Sequence, residues 1–313
     1  MTARPTAATR LFVLLGDPVS HSLSPTFQNA ALRALGLDAV FVALRCAADD
    51  LPGLLRGIAR AGGGGNVTVP HKALAARTVD RPRDAVGRTG ACTAFWLEDG
   101  AVHGDNTDVV GAREAIQALL GRSPAGARVL LLGAGGAASA AVCALADAGA
   151  ERIVVANRTR ERAEALAERF RAPGVRIDAA GSGDEVAAER FDLAINATSL
   201  GLRPDDPLPL DPDAPGPRIG AALDLVYAPG ETRWAREMRA RGLPAADGKE
   251  MLIQQGAEAF RLWTGVAPAV TCGRSSAAHG VAAMDIPAEL PRTELPIAGA
   301  KAEAASWATA PRR

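Results

Sequence analysis

The apolar run 129–132 leads directly into Gly133-Ala134-Gly135-Gly136-Ala137-Ala138, and an alanine-rich helical stretch follows. A buried strand, a glycine turn and a helix in that order open a dinucleotide-binding unit. Gly133 permits the tight turn, and Gly135 lets the backbone approach a pyrophosphate. Ala138, at the third position, lets the helix lie close on the strand. The helix N-terminus then offers unpaired N–H groups and the positive end of its dipole to phosphates. A glycine-rich turn in any buried strand–helix unit looks similar. The strand before and the helix after favour a cofactor cradle made of Gly133, Ala134, Gly135, Gly136 and Ala137.

The next strand ends in Ala156-Asn157-Arg158-Thr159. An NAD site places an acid here to bond the ribose 2′-hydroxyl. This chain places Arg158, with Arg160 and Arg162 close behind, and a guanidinium pairs bidentately with a 2′-phosphate. Asn157, Arg158, Thr159 and Arg162 therefore point to NADP. Arginine is this chain's usual cation, so a solvated helix start is the bland alternative. The missing acid counts against NAD independently.

Strand-like and helix-like runs alternate along most of the chain, which predicts an α/β protein. Strands are expected near 10–15, 39–44, 66–69, 93–97, 129–132, 153–156, 192–196 and 222–226. Helices are expected near 24–35, 51–61, 109–120, 137–148, 160–170 and 251–263, the first with Ser24 as N-cap and Pro25 at the first helical position. Six prolines between 203 and 217 predict an irregular surface loop. From about residue 275 the chain is rich in alanine and proline without periodicity, and a loose tail is expected.

With 313 residues the chain suits two domains. Lys plus Arg and Asp plus Glu both number 35, so no net charge points to nucleic acid. The four cysteines (Cys46, Cys92, Cys143, Cys272) form no CxxC pair and no cluster with histidine, so neither a metal site nor a disulfide framework is expected. The apolar run 11–15 is too short for a signal peptide. The uncharged run 129–146 is mostly Ala, Gly and Ser, which argues against a membrane span. A soluble, cytoplasmic protein is expected.

Lysine is scarce: Lys72, Lys249 and Lys301 are the only three. Arginine stays charged at any working pH, whereas lysine serves as a proton donor and acceptor. Lys72 follows Asn66-Val67-Thr68-Val69-Pro70-His71. Alone it reads as a surface cation after a proline turn. Gly104-Asp105-Asn106-Thr107-Asp108 supplies acids at a strand end, where ligands gather in open α/β sheets. Asp105 is the expected partner of Lys72, and Asp108 the expected cap of the next helix.

These segments together resemble the shikimate dehydrogenase family, whose members interconvert 3-dehydroshikimate and shikimate with NADPH. The resemblance rests on Gly16-Asp17-Pro18 with His21-Ser22-Leu23-Ser24-Pro25, on Asn66 to Pro70 with Lys72, and on Gly104 to Asp108. Downstream it continues through Gly133 to Ala137, Asn157-Arg158-Thr159, Asn196-Ala197-Thr198-Ser199, Asp224-Leu225-Val226-Tyr227, and Gly248 with Met251, Leu252 and Gln255. These run in family order from about residue 10 to 270.

The resemblance implies a Rossmann-type NADP domain beside an α/β substrate domain, with the active site in the cleft between them. The substrate domain would be 1–104 plus 248–275, the dinucleotide domain 105–247, and 276–313 a tail. Ser22 and Ser24 would hold the substrate carboxylate near Tyr227, and Thr68 and Gln255 would bind ring hydroxyls. Lys72 and Asp105 would exchange the proton of the reacting oxygen. Thr198, Gly248 and Met251 would join the cofactor residues. The partner is a small molecule, and the chain is expected to be a monomer or homodimer.

Two positions depart from the family pattern. Gln28 replaces a histidine, and Cys92 stands where the family has an asparagine that contacts a substrate hydroxyl. A thiol is a weak hydrogen-bonder, so Cys92 raises quinate or an amino-substituted shikimate as the alternative substrate. A nucleotide-binding regulator without catalysis has no need of both Lys72 and Asp105. A methylenetetrahydrofolate dehydrogenase does not suit the Ser22-x-Ser24 pair or Gln255.

Overall fold

A computed structural model describes residues 5–171, 174–213, 215–228, 230–270 and 283–284. The first part of the chain runs β1 (Arg10–Gly16), α1 (Ser24–Ala34), β2 (Ala39–Arg45), α2 (Leu51–Arg60) and β3 (Gly64–Val67). It continues through α3 (Lys72–Thr78), β4 (Arg81–Pro82), α4 (Asp84–Thr89), β5 (Ala94–Glu98), β6 (Ala101–Asp105) and α5 (Asp108–Leu120). These strands form one six-stranded sheet in the order β2-β1-β3-β5-β6-β4. The β1–β2, β1–β3 and β4–β6 pairs are parallel, and the β5–β6 hairpin lies antiparallel between them.

The second part runs β7 (Arg128–Leu132), α6 (Gly136–Asp147), β8 (Arg152–Ala156), α7 (Arg160–Arg169), β9 (Arg176–Ala180), β10 (Arg190–Phe191) and β11 (Leu193–Asn196). Then come β12 (Arg218–Ile219), β13 (Ala222–Asp224), α8 (Arg233–Ala240), β14 (Ala245–Ala246) and α9 (Lys249–Thr264). Its main sheet is wholly parallel, in the order β14-β13-β11-β7-β8-β9. Counted within the unit from β7, leaving out the outlying β10–β12 pair, that order is 3-2-1-4-5-6, the doubly wound Rossmann arrangement.

Both sheets are covered on both faces, and alternation along single strands shows it. Phe12 and Leu14 of β1 pack with α1 and α9, whereas Val13 and Leu15 pack with α2. In β7, Val129 and Leu131 face α5 and α6, whereas Leu130 and Leu132 face α8. Continuous apolar runs are what a strand buried on two sides requires.

The returning helix α9 joins the two parts. Ile253, Ala257, Phe260 and Trp263 enter the core of the first sheet, where Trp263 stacks on Phe12 at 5.2 Å and on Phe41 at 5.7 Å. Met251, near its start, packs instead with the second part. Helix α5 crosses α9 closely: a Cβ on Gly111 would lie 2.6 Å from the Met251 carbonyl oxygen. That contact sets the start of α5 beside α9.

Some sequence expectations shift. Ser24 is the first helical residue rather than the cap, Leu23 holds the cap position, and the Ser24 N–H donates to Ser22 Oγ at 3.2 Å. Pro25 favours the first turn wherever the helix begins within one residue, so the sequence could not fix the boundary. The short helices α3 and α4 and the strand β9 are not expected from the sequence, nor is α8, although Trp234, Ala235 and Met238 form its one buried face. The proline-rich loop is irregular as expected, yet Leu208 and Leu210 pack partly buried against the core. The expected tail 276–313 lies outside the described residues apart from 283–284.

Candidate active site

Helix N-termini and strand ends from both sheets converge on a cleft of about 220 Å³. Ser22, Ser24, Thr68, Lys72, Tyr227, Gly248, Met251 and Gln255 all line it, as do Ala137, Asn66, Thr93 and Asp108. The cis peptide bonds Asp17-Pro18 and Val69-Pro70 shape two of the loops that carry these residues.

Lys72 Nζ lies 2.6 Å from Asp108 Oδ2, with both side chains largely buried. This corrects two expectations. Asp105 is not the partner of Lys72: its Oδ1 accepts from the Asn106 N–H at 2.7 Å, and its Oδ2 lies 3.6 Å from Arg83. Nor is Asp108 a side-chain cap. Asn106 Oδ1 accepts from the Asp108 N–H at 3.2 Å, which leaves the Asp108 carboxylate free for Lys72. The reason is local. β6 ends at Asp105, and the turn through Asn106 and Thr107 swings the chain so that Asp108, not Asp105, reaches the cleft. Burial raises the pKa of Asp105 while the Asn106 N–H and Arg83 oppose it.

Cys92 is likewise corrected. Its side chain is fully buried among Val79, Val102 and Phe95, beneath the cleft rather than in it. The thiol lies 3.2 Å from the Ala94 carbonyl oxygen, and burial pushes its pKa up to about 12. Successive residues of an extended chain face opposite ways, so Thr93 takes the cleft side. Thr93 Oγ1 accepts from the Thr107 N–H at 2.8 Å, and the Thr93 carbonyl oxygen accepts from Asn66 Nδ2 at 2.9 Å.

Asn66 and Thr93 are therefore site residues that the sequence reading did not select. Asn66 is buried, and its Oδ1 has no partner among the described residues. A buried acceptor without a partner, facing a cleft, is suited to a ligand hydroxyl. Its signal in the sequence was its place at the head of the motif that ends in Lys72. Opposite, Gln255 Nε2 donates to the Leu252 carbonyl oxygen at 2.9 Å, and the Thr107 hydroxyl lies 3.5 Å from Gln255 Oε1. Burial raises the pKa of the Tyr227 phenol, which therefore faces the cleft as a neutral hydroxyl.

The other cofactor candidates do not line this cleft but gather at the carboxyl ends of β7, β8 and β11. Gly133 has φ +103°, and a Cβ there would lie 2.8 Å from the Ala197 carbonyl oxygen. Only glycine fits this turn beside Thr198. Gly135 caps α6, whose first residue is Gly136, and Ala134 lies in the same turn. Past β8, Asn157 Nδ2 donates to the Thr159 carbonyl oxygen at 2.8 Å, and Thr159 is the cap residue of α7. The Arg162 N–H donates to that same carbonyl oxygen at 3.0 Å. Arg158 sits in this loop, while Arg160 is engaged by Glu164 and Glu185. Thr198 Oγ1 donates to Asn196 Oδ1 at 2.6 Å. The narrow glycine turn, the N-terminus of α6 and an arginine past β8 in place of an acid fit a phosphorylated dinucleotide.

Comparison with known proteins agrees with this geometry. Residues 14–94 match the shikimate dehydrogenase substrate binding domain, residues 114–201 match shikimate / quinate 5-dehydrogenase, and residues 248–276 match the shikimate 5′-dehydrogenase C-terminal domain. The shikimate dehydrogenase (NADP(+)) of Rubrobacter xylanophilus is 43% identical over 270 residues, spanning 84% of this chain and 93% of that protein. The crystal structure of shikimate dehydrogenase from Aquifex aeolicus superposes with a TM-score of 0.75 at 34% identity, covering 84% of this chain and 95% of that one. Shikimate 5-dehydrogenase from Thermus thermophilus, solved in complex with NADP(H) and shikimate, superposes with a TM-score of 0.71 at 40% identity, covering 83% and 95%. Matched along most of its length by family models and by relatives of about 40% identity, the chain belongs to the shikimate dehydrogenase family.

Proposed function

We propose that this protein is an NADP-dependent shikimate dehydrogenase, which reduces 3-dehydroshikimate to shikimate reversibly. The observation that carries this reading is the Lys72–Asp108 pair, set in a cleft between the doubly wound sheet and the first sheet. The name and bound ligands of the Thermus thermophilus relative support the choice of substrate and cofactor.

Ser22 and Ser24 hold the substrate carboxylate through their hydroxyls, with the Tyr227 hydroxyl as a further donor. The start of α1 favours a negative charge there. Asn66, Thr68 and Gln255 pair with ring hydroxyls. Lys72 Nζ gives a proton to the ketone oxygen during reduction and takes it back during oxidation, and Asp108 orients the amine and balances its charge. NADPH supplies the hydride. Gly133 to Ala137 and Thr198 would hold its pyrophosphate, Asn157, Arg158, Thr159 and Arg162 its 2′-phosphate, and Gly248 and Met251 would complete the cofactor residues.

The working division is a substrate domain of 1–104 plus 248–275 and a dinucleotide domain of 105–247. No described helix is long and apolar enough to cross a membrane. The protein works in the cytoplasm as a monomer or homodimer. The quinate and aminoshikimate alternative is not favoured, because the similar proteins are NADP-dependent shikimate dehydrogenases.

Nicotinamide absorbance followed with shikimate, quinate and aminoshikimate, each with NADP+ and NAD+, tests the proposal. Shikimate with NADP+ should give the highest kcat/KM. Preference for quinate, or no turnover of shikimate, refutes it.

A further inference from the structure

A second cavity, of about 520 Å³, opens at the amino ends of the parallel strands, away from the nucleotide loops. Arg128, the first residue of β7, lines it, whereas Gly133 follows the last residue of that strand. Five residues of strand put the two ends about 17 Å apart.

The lining is unusual for a chain with equal numbers of acidic and basic residues. Arg122, Arg128, Arg190 and Arg218 reach it from four separate stretches of the chain, against the single acid Asp192. That acid is already used, because Asp192 Oδ2 accepts from the Arg128 N–H at 2.8 Å. Arg128 itself pairs with Glu189 at 2.9 Å. Arg190 and Arg218 have no ion-pair partner among the described residues, yet β10 and β12 pair them at the same register. Like charges directly across a strand pair repel. An anion between two such guanidinium groups turns that repulsion into paired, charge-assisted hydrogen bonds. Phe191, Ile219 and Pro244 add an apolar wall, and the Arg128 guanidinium lies 5.9 Å from the Phe191 ring centre.

We propose that this cavity is a second ligand site, which binds a small metabolite carrying two or more carboxylate or phosphate groups on a compact body. The pair Arg190 and Arg218 grips one oxyanion, and Arg122 reaches a second. The apolar wall covers the body of the ligand. The site is independent of the active-site cleft, since it shares no lining residue with it.

Isothermal titration calorimetry with citrate, on the full chain in excess NADP+, tests the proposal, because the cofactor keeps citrate from the phosphate-binding loops. Citrate should bind, and Arg190→Ser/Arg218→Ser should weaken it about tenfold or more, as expected for losing charge-assisted bonds. Arg122→Ser, in an exposed loop, should weaken it several-fold. A control with equal charge loss at exposed arginines elsewhere, Arg33→Ser/Arg60→Ser, should leave binding unchanged. Dehydrogenase kcat/KM without citrate should be the same in all four proteins, which verifies their folding. Absence of citrate binding to the wild type overturns the proposal. So does equal weakening by the site pair and the control pair, which would mean general charge attraction.

Discussion

Lys72 and Asp108, 2.6 Å apart, are each the first residue of a helix, α3 and α5 respectively. An acid at that position is favoured by the helix dipole and a lysine is disfavoured. The ion pair offsets the cost at Lys72 and fixes the direction of its amine. The amine is thus held at the cleft by the carboxylate beside it.

Lys72→Ala should lower kcat by about 10²–10⁴, the usual worth of a positioned proton donor. Asp108→Asn should also lower kcat, and the double variant should lose far less than the product of the two effects, because the pair acts as a unit. Asp105→Asn should retain near-wild-type kcat. Steady-state kinetics on the four variants decide it; a dead Asp105→Asn with an active Asp108→Asn would restore the pairing first read from the sequence.

Arg158→Ala should weaken NADP+ by about ten- to a hundredfold and leave NAD+ almost unchanged, since a charge-assisted bond contributes roughly 1.5–3 kcal/mol. Fluorescence titration of each cofactor measures this. Equal weakening of both would mean that Arg158 does not touch the 2′-phosphate.

Cys92→Asn should leave kcat/KM for shikimate unchanged and lower stability instead. A buried carboxamide without partners costs about 1–3 kcal/mol, which thermal unfolding would register as a lower Tm. The wild-type thiol, with its pKa pushed up to about 12 by burial, should resist thiol reagents until the protein unfolds. Recovery of shikimate turnover in Cys92→Asn would return this residue to the cleft.

Asp224 sets a pH dependence of stability. Burial raises its pKa from 3.8 to about 6, although the Thr232 hydroxyl, the Val226 N–H and the Asn196 amide favour its charge. The folded protein therefore holds this proton where the unfolded chain has lost it. Its contribution is fully present below about pH 4 and is lost as pH rises through about 6, a change of about 3 kcal/mol. Urea unfolding of wild type and Asp224→Asn across that range should show the wild type losing stability relative to the variant. A constant difference would exclude the effect.

Much of this protein was legible because local patterns repeat the physics of the elements they form. The run 129–138 dictates strand, tight turn and helix wherever it is placed, and Gly133 cannot be replaced beside Ala197. The apolar runs of β1 and β7 require covered sheets. Short helices such as α3 and α4 carry too few turns to show periodicity.

By itself, then, the sequence determined the α/β class and the dinucleotide turn, and it singled out Arg158 and Lys72 as candidate site residues. Only the tertiary structure decided which acid meets that lysine and which side of the strand start faces the cleft. Asp105 and Asp108 are three residues apart around a turn, and Cys92 and Thr93 are neighbours on an extended segment. At such spacings a rotation of the backbone exchanges cleft for core, and that rotation is set by the packing of β5, β6, α5 and α9, not by the residues themselves.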